Sequence, residues 1–107
     1  MMTTVTGGIG TYEVLRRLGI TSQADMAALN RWVAAEVVTP SLHRGIGSGN
    51  RSLWSEFDVE RLRAIFEVRA NFHARDLDMP YGLVGEIWEA LGEGRAWDWT
   101  VRVDVPA

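Results

Sequence analysis

Apolar side chains recur along this chain at spacings of three and four residues in four separate stretches, and at spacings of two near its end. The first periodicity lines one face of an α-helix, the second one face of a β-strand. Val14, Leu15 and Leu18 predict a first helix that starts near Thr11 as N-cap, carries Glu13 in its first turn and closes at Gly19. Ser22 and Asp25 stand at capping-box spacing, and Met26, Leu29, Trp32, Val33 and Val37 predict a second helix that Pro40 stops. Ser55 and Asp58 repeat that capping signature ahead of Phe57, Val59, Leu62, Ile65, Phe66 and Phe72, a third helix of about four turns. Asp76, Asp78 and Pro80 mark a break. A fourth helix is expected from about Pro80 to Leu91, with Leu83, Val84, Ile87 and Trp88 on one side and Gly92 at its end.

The intervening segments are shorter and more polar. Residues 1–10 read as a loose Gly-rich arm. Between Ser41 and Trp54, two short strand-like runs flank a Gly/Ser/Asn tip, the pattern of a β-hairpin. The run from Trp97 to Val105 alternates apolar and polar residues and predicts a strand. The chain therefore divides into an arm (1–10), one helical domain (11–92) and a strand-like tail (93–107). Its fold class is mainly α with a small β element: four helices, a hairpin and a C-terminal strand.

Composition narrows the chemistry. With 107 residues and 47% hydrophobic content the chain can bury one modest core, which leaves little material for a deep enzyme cleft. It has no cysteine, so disulfides, thiolate metal sites and Cys nucleophiles are excluded together, which fits a reducing, cytoplasmic setting. No signal-peptide pattern opens the sequence, and no run nears the length of a membrane span. All 11 basic residues are arginine, as in a GC-rich actinobacterial or phage genome. The net charge of −3 is unevenly spread: residues 1–55 hold five arginines against three acids, and residues 56–107 hold six against eleven. A chain that meets a polyanion would carry its basic half toward the partner.

Two helices joined by the tight turn Gly19-Ile20-Thr21, then Pro40, a Gly-tipped hairpin and a Ser-capped helix, follow the order of a winged helix-turn-helix. The stretch Trp32-Val33-Ala34-Ala35-Glu36-Val37-Val38-Thr39-Pro40-Ser41 resembles the MerR family, which places an aromatic on its second helix and an apolar pair with a proline just after it. The run from Gly45 to Val59 resembles that family's wing and its exit: a Gly-rich tip, an arginine, an aromatic, a Ser cap, an Asp and an apolar helix. The similarity spans roughly residues 11–91. Three features depart from it. Leu29 lies ten residues after Gly19, so the turn or the start of the second helix is lengthened. The wing arginine two positions before the aromatic is Ser52 here, and Arg51 stands one residue off; it either uses a shifted register or makes no contact. The long dimerising helix of full-length regulators is replaced by the strand-like tail, as in short effector-less members and phage excisionases.

The resemblance implies double-stranded DNA as partner, with the second helix in the major groove. Thr21, Ser22, Gln23, Asn30 and Arg31 are then the base-facing candidates, since Gln and Asn can read adenine and Arg guanine at two points. Against this, Ser22 can serve only as a cap and Gln23 as a solvated side chain. Arg16 and Arg17 could flank the backbone from the first helix, and His43, Arg44, Asn50 and Arg51 could meet phosphates or the minor groove from the hairpin. Trp32, Trp54 and Trp88 are expected in the core. Trp97 and Trp99 either cover a sheet edge or pair with a second copy.

No motif for a metal, a cofactor or a nucleophile stands out, and an enzymatic role is not expected. His43 and His73 lack a third ligand nearby, and Asp76 and Asp78 belong to a helix break. The sequence is thus read as a small transcriptional regulator. Alternatives are a recombination directionality factor acting with an integrase, and a protein-interaction module using the acidic half; RNA polymerase is a further partner of a regulator. Small DNA-binding modules commonly act as paired copies on half-sites, so self-association through the tail is expected. Sedimentation of a chain shortened to end at Gly94 tests this: the full chain should self-associate and the shortened one should not, and an unchanged oligomeric state removes the idea.

Overall fold

The computed structural model describes residues 8–42 and 52–95. Within them run β1 (Ile9–Gly10), α1 (Thr11–Arg17), α2 (Gln23–Ala34), β2 (Leu53–Trp54), α3 (Glu56–Ala74) and α4 (Tyr81–Gly92). The four helices follow the apolar periodicity. Each buries its stripe in a common core that includes Val14, Leu29, Trp32, Leu62, Ile65, Val84 and Ile87. Trp32 packs on Phe66 with ring centroids 5.1 Å apart, and Trp54 meets Trp88 edge-on at 6.2 Å. Such aromatic pairs add roughly 0.5–1.5 kcal/mol each beyond the apolar area they bury.

The helices share one way of ending. A residue in the left-handed region follows each C-cap: Gly19 (φ 72°), Glu36 (φ 65°), Asp76 (φ 59°) and Gly94 (φ 79°). The next amide then reaches back five residues: Ile20 to Leu15, Val37 to Trp32, Leu77 to Phe72 and Arg95 to Ala90, at 2.9–3.1 Å. This Schellman arrangement satisfies carbonyls that a helix end would leave unpaired. It moves two expected boundaries. α2 stops at Ala34, well before Pro40, because Glu36 reverses the chain and carries Val38 into the core. Gly92 is the last residue of α4 rather than its terminator; Gly94 takes that part.

The sheet also differs from expectation. β2 pairs antiparallel with β1, Ile9 opposite Trp54 and Gly10 opposite Leu53. The end of the expected loose arm is thus a strand, held there because Ile9 is buried. Among the described residues, the incoming side of the expected hairpin meets β2 through the Leu42 N–H, which donates to the Leu53 carbonyl at 3.2 Å. Residues 43–51, which would form its tip, lie outside the described residues, as do the start of the arm and the expected tail strand.

Thr11 is not the cap of α1. Gly10 occupies that position without a side-chain bond, and the Thr11 hydroxyl accepts the indole N–H of fully buried Trp54 at 2.9 Å. The bond ties α1 to β2. α3 is a little longer than expected, at 19 residues, and its buried stripe runs Asp58, Val59, Arg61, Leu62, Ile65 and Val68. Phe57 falls off that stripe and stays exposed. Among the described residues no helix is long and apolar enough to cross a membrane.

Thr11→Val keeps the shape of the side chain and removes the acceptor for Trp54. The stranded indole N–H should lower stability by about 1–3 kcal/mol in urea unfolding. An unchanged midpoint would show that this bond does not join α1 to the sheet.

Candidate nucleic-acid interface

α2 is held from one side. Ala28, Leu29 and Trp32 are buried, and a salt bridge from Asp25 to Arg69 on α3 (2.8 Å) fixes its first turn. The Ser22 hydroxyl accepts the Asp25 amide at 3.0 Å, so the side chain is engaged as the cap. The other side of the helix is open: Gln23, Ala24, Asn30, Arg31 and Ala34 are exposed, as are Thr21 and Ser22 ahead of it. Gln23, Asn30 and Arg31 stand seven and eight residues apart, close to two helical turns, and so share a face. Small alanines between them leave that face low. Arg31 forms no ion pair with any described residue, whereas Arg16 and Arg17 do.

Those two arginines are spoken for. Glu13 receives Arg16 through two parallel bonds, Nε to Oε1 at 2.7 Å and Nη2 to Oε2 at 2.6 Å. Arg17 gives its Nε to Glu13 at 3.1 Å and its Nη1 to both oxygens of Glu56 at 2.9 Å. The hydrogen bonds from Arg16, then Arg17, hold the Glu13 carboxyl down at about 2. The same contacts raise both guanidinium pKa values, Arg16 through Glu13 and Arg17 first through Glu56. The basic half counted along the sequence is therefore partly neutralised in space, once by its own acid and once by one from α3.

Between α2 and α3, both ends of the segment carrying His43, Arg44, Asn50 and Arg51 are fastened to one carboxylate. Asp58 has no exposed surface. It accepts the Ser41 amide (2.8 Å), the Ser41 hydroxyl (2.5 Å), the Ser55 amide (3.0 Å) and Arg61 Nη2 (2.8 Å). Its bond to Ser55, returned by the Ser55 hydroxyl at 3.0 Å, completes the predicted capping box. Burial pushes the Asp58 pKa up, but the bonds from Ser41, Ser55 and Arg61 outweigh it and hold the group below its ordinary value. Arg61 continues the link to α4: Nη1 donates to the Trp88 carbonyl at 2.8 Å and the guanidinium lies 3.5 Å from the Trp88 ring centroid. A side chain at Gly92 would displace Arg61 Nη1 from its place beside α4. His43, Arg44, Asn50 and Arg51 themselves lie outside the described residues.

Helical periodicity and capping spacing mark Asp58 only as a cap and leave Arg61 and Ser41 unassigned. The signal was present: Asp58 and Arg61 sit three apart on the same stripe as Leu62, Ile65 and Val68. Opposite charges at that spacing on an apolar face mark a buried pair. Nothing local linked Ser41 to them. His73, Asp76 and Asp78 are all exposed around the α3–α4 break, and among the described residues no group of three His, Asp or Glu could hold a metal.

No protein-family model, curated protein or solved structure matches the chain.

Because the folded pKa of Asp58 is depressed, its stabilisation is complete above the ordinary aspartate range and is lost as pH falls through the folded pKa. Asp58→Asn should cost roughly 3 kcal/mol at neutral pH, since it leaves Arg61 buried without its counter-charge. The gap to the unaltered protein should narrow below about pH 4. Urea unfolding across pH checks both, and a gap that stays constant into acid would refute the assignment.

Proposed function

We propose that this chain binds double-stranded DNA as a small transcriptional regulator, reading base edges in the major groove with the outward face of α2. The observation that carries the proposal is the two-sidedness of that helix. Its buried face is locked by Leu29, Trp32 and the Asp25–Arg69 bridge, while Thr21, Gln23, Asn30 and Arg31 are all turned to solvent. Those residue types suit two-point recognition of adenine and guanine. In this reading α1, the Gly19 turn and α2 form the helix-turn-helix, as the resemblance to the MerR family implies. The segment closed off by Ser41 and Ser55 is the wing, and Arg44 and Arg51 contact the DNA backbone. Phosphate contacts give affinity and base contacts give preference.

Fluorescence anisotropy with labelled duplexes, preceded by selection of bound sequences from a random pool, tests the proposal across salt. Binding should weaken steeply between about 50 and about 200 mM salt, as counterion release requires. Arg31→Ala should weaken binding to the selected duplex by about 1–3 kcal/mol and relax preference at one base pair. Unaltered binding would show that α2 is not the reading helix. No binding to any duplex at low salt would remove the DNA reading and favour a protein-interaction module.

A further inference from the structure

We infer that Glu13 sets the DNA affinity of this chain by holding Arg16 off the phosphate backbone. The inference rests on the DNA-binding reading above and adds an affinity-setting residue to it. Three observations carry it. First, Arg16 is in the right place: it lines a shallow groove of about 250 Å³ together with Tyr12, Gly19 and Thr21, so it borders the residue that leads into α2. Tyr12, 82% exposed, stands at the rim of the same groove. Second, one edge of Arg16 is taken, because both carboxylate oxygens of Glu13 accept its Nε and Nη2 at 2.6–2.7 Å. A guanidinium bound in this way has its Nε/Nη2 edge occupied, and the adjacent carboxylate offsets the charge it would offer a phosphate. Third, the engagement can be opened. The Arg16 side chain is 65% exposed and Glu13 37%, and surface pairs of this kind are worth little in water. A phosphate competes for the same fork, and the displaced Glu13 carboxylate then repels it.

Arg17 is different. It is shared between Glu13 and Glu56, so losing Glu13 alone leaves it on Glu56. The two acids thus hold two cations in sequence. Releasing the first frees Arg16, and releasing the second frees Arg17 as well. Glu13 acts through these arginines and is a positioning residue, which a salt series can distinguish from a simple change of net charge.

Four variants are compared with the unaltered protein by anisotropy on one duplex: Glu13→Gln, Glu13→Gln with Glu56→Gln, Glu13→Gln with Arg16→Ala, and Glu89→Gln. The last removes one charge from the exposed face of α4. One extra phosphate contact steepens the log–log salt slope by about 0.9, so the ratio of affinities at about 50 and about 200 mM salt should rise roughly 3.5-fold for Glu13→Gln. The double acid variant should steepen it about twice as much. Glu89→Gln should leave the slope unchanged, and Arg16→Ala should cancel the gain made by Glu13→Gln. If the unaltered protein binds and Glu13→Gln matches it or Glu89→Gln in slope, the inference is overturned while the DNA reading stands. It is likewise overturned if the gain survives Arg16→Ala. If neither the unaltered protein nor Glu13→Gln binds any duplex at low salt, both fall.

Discussion

A single buried carboxylate organises the described part of this molecule. Asp58 collects the backbone amides of Ser41 and Ser55, the Ser41 hydroxyl and the Arg61 guanidinium. The two serines are the last stop after α2 and the cap of α3, so one side chain fixes where the intervening segment leaves the core and where it returns. Arg61 carries the constraint to α4 by its bond to Trp88 and its stack on the same ring. Burying this pair is costly, and the Arg61 Nε is left buried without a partner. An apolar pair of similar volume could not replace it, because the amides of Ser41 and Ser55 would then lack acceptors. The charge is retained to satisfy chain ends that an apolar core would strand.

That constraint separates scaffold from surface. With α3 anchored by Asp58 and Arg61, Phe66 and Arg69 further along the same helix present a ring and a cation to α2. α2 therefore has one possible outward face, and its polar residues lie there. Exposure of Gln23, Asn30 and Arg31 follows from packing on the opposite side. The neighbouring cations follow a different rule. Arg17 is bound to an acid 39 residues away, so the surface that a linear count makes basic is in space a chain of alternating charges. Arg31, outside that chain, is the arginine on α2 with no described acid to hold it.

Much of this was readable from residue order, for specific reasons. The four helices and the caps at Ser22 and Ser55 depend on spacings of three and four, which are local. So does Gly19, whose left-handed backbone suits glycine. Other features were hidden because they are not local or use an unexpected residue. Glu36 and Asp76 occupy the same left-handed position as Gly19 at some cost, and only the gain from burying Val38 makes an early end to α2 intelligible. β1 is two residues long and gains its place from a partner 44 or so positions away, Leu53 and Trp54, a pairing that no periodicity reveals. Threonine commonly caps helices, which favours Thr11 for that part in the sequence; its real partner, Trp54, is distant along the chain. Within the candidate interface, the exposed set on α2 was visible in the pattern, while the capture of Arg17 by Glu56 was not.

The claim on which the functional account turns is that α2 presents its polar face to a duplex. Amide chemical shifts of the isotope-labelled protein, followed during titration with a selected duplex at low salt, test it most directly. The account predicts the largest changes from Thr21 to Arg31, with α4 nearly silent. Changes concentrated on α4, or none along α2, would contradict it.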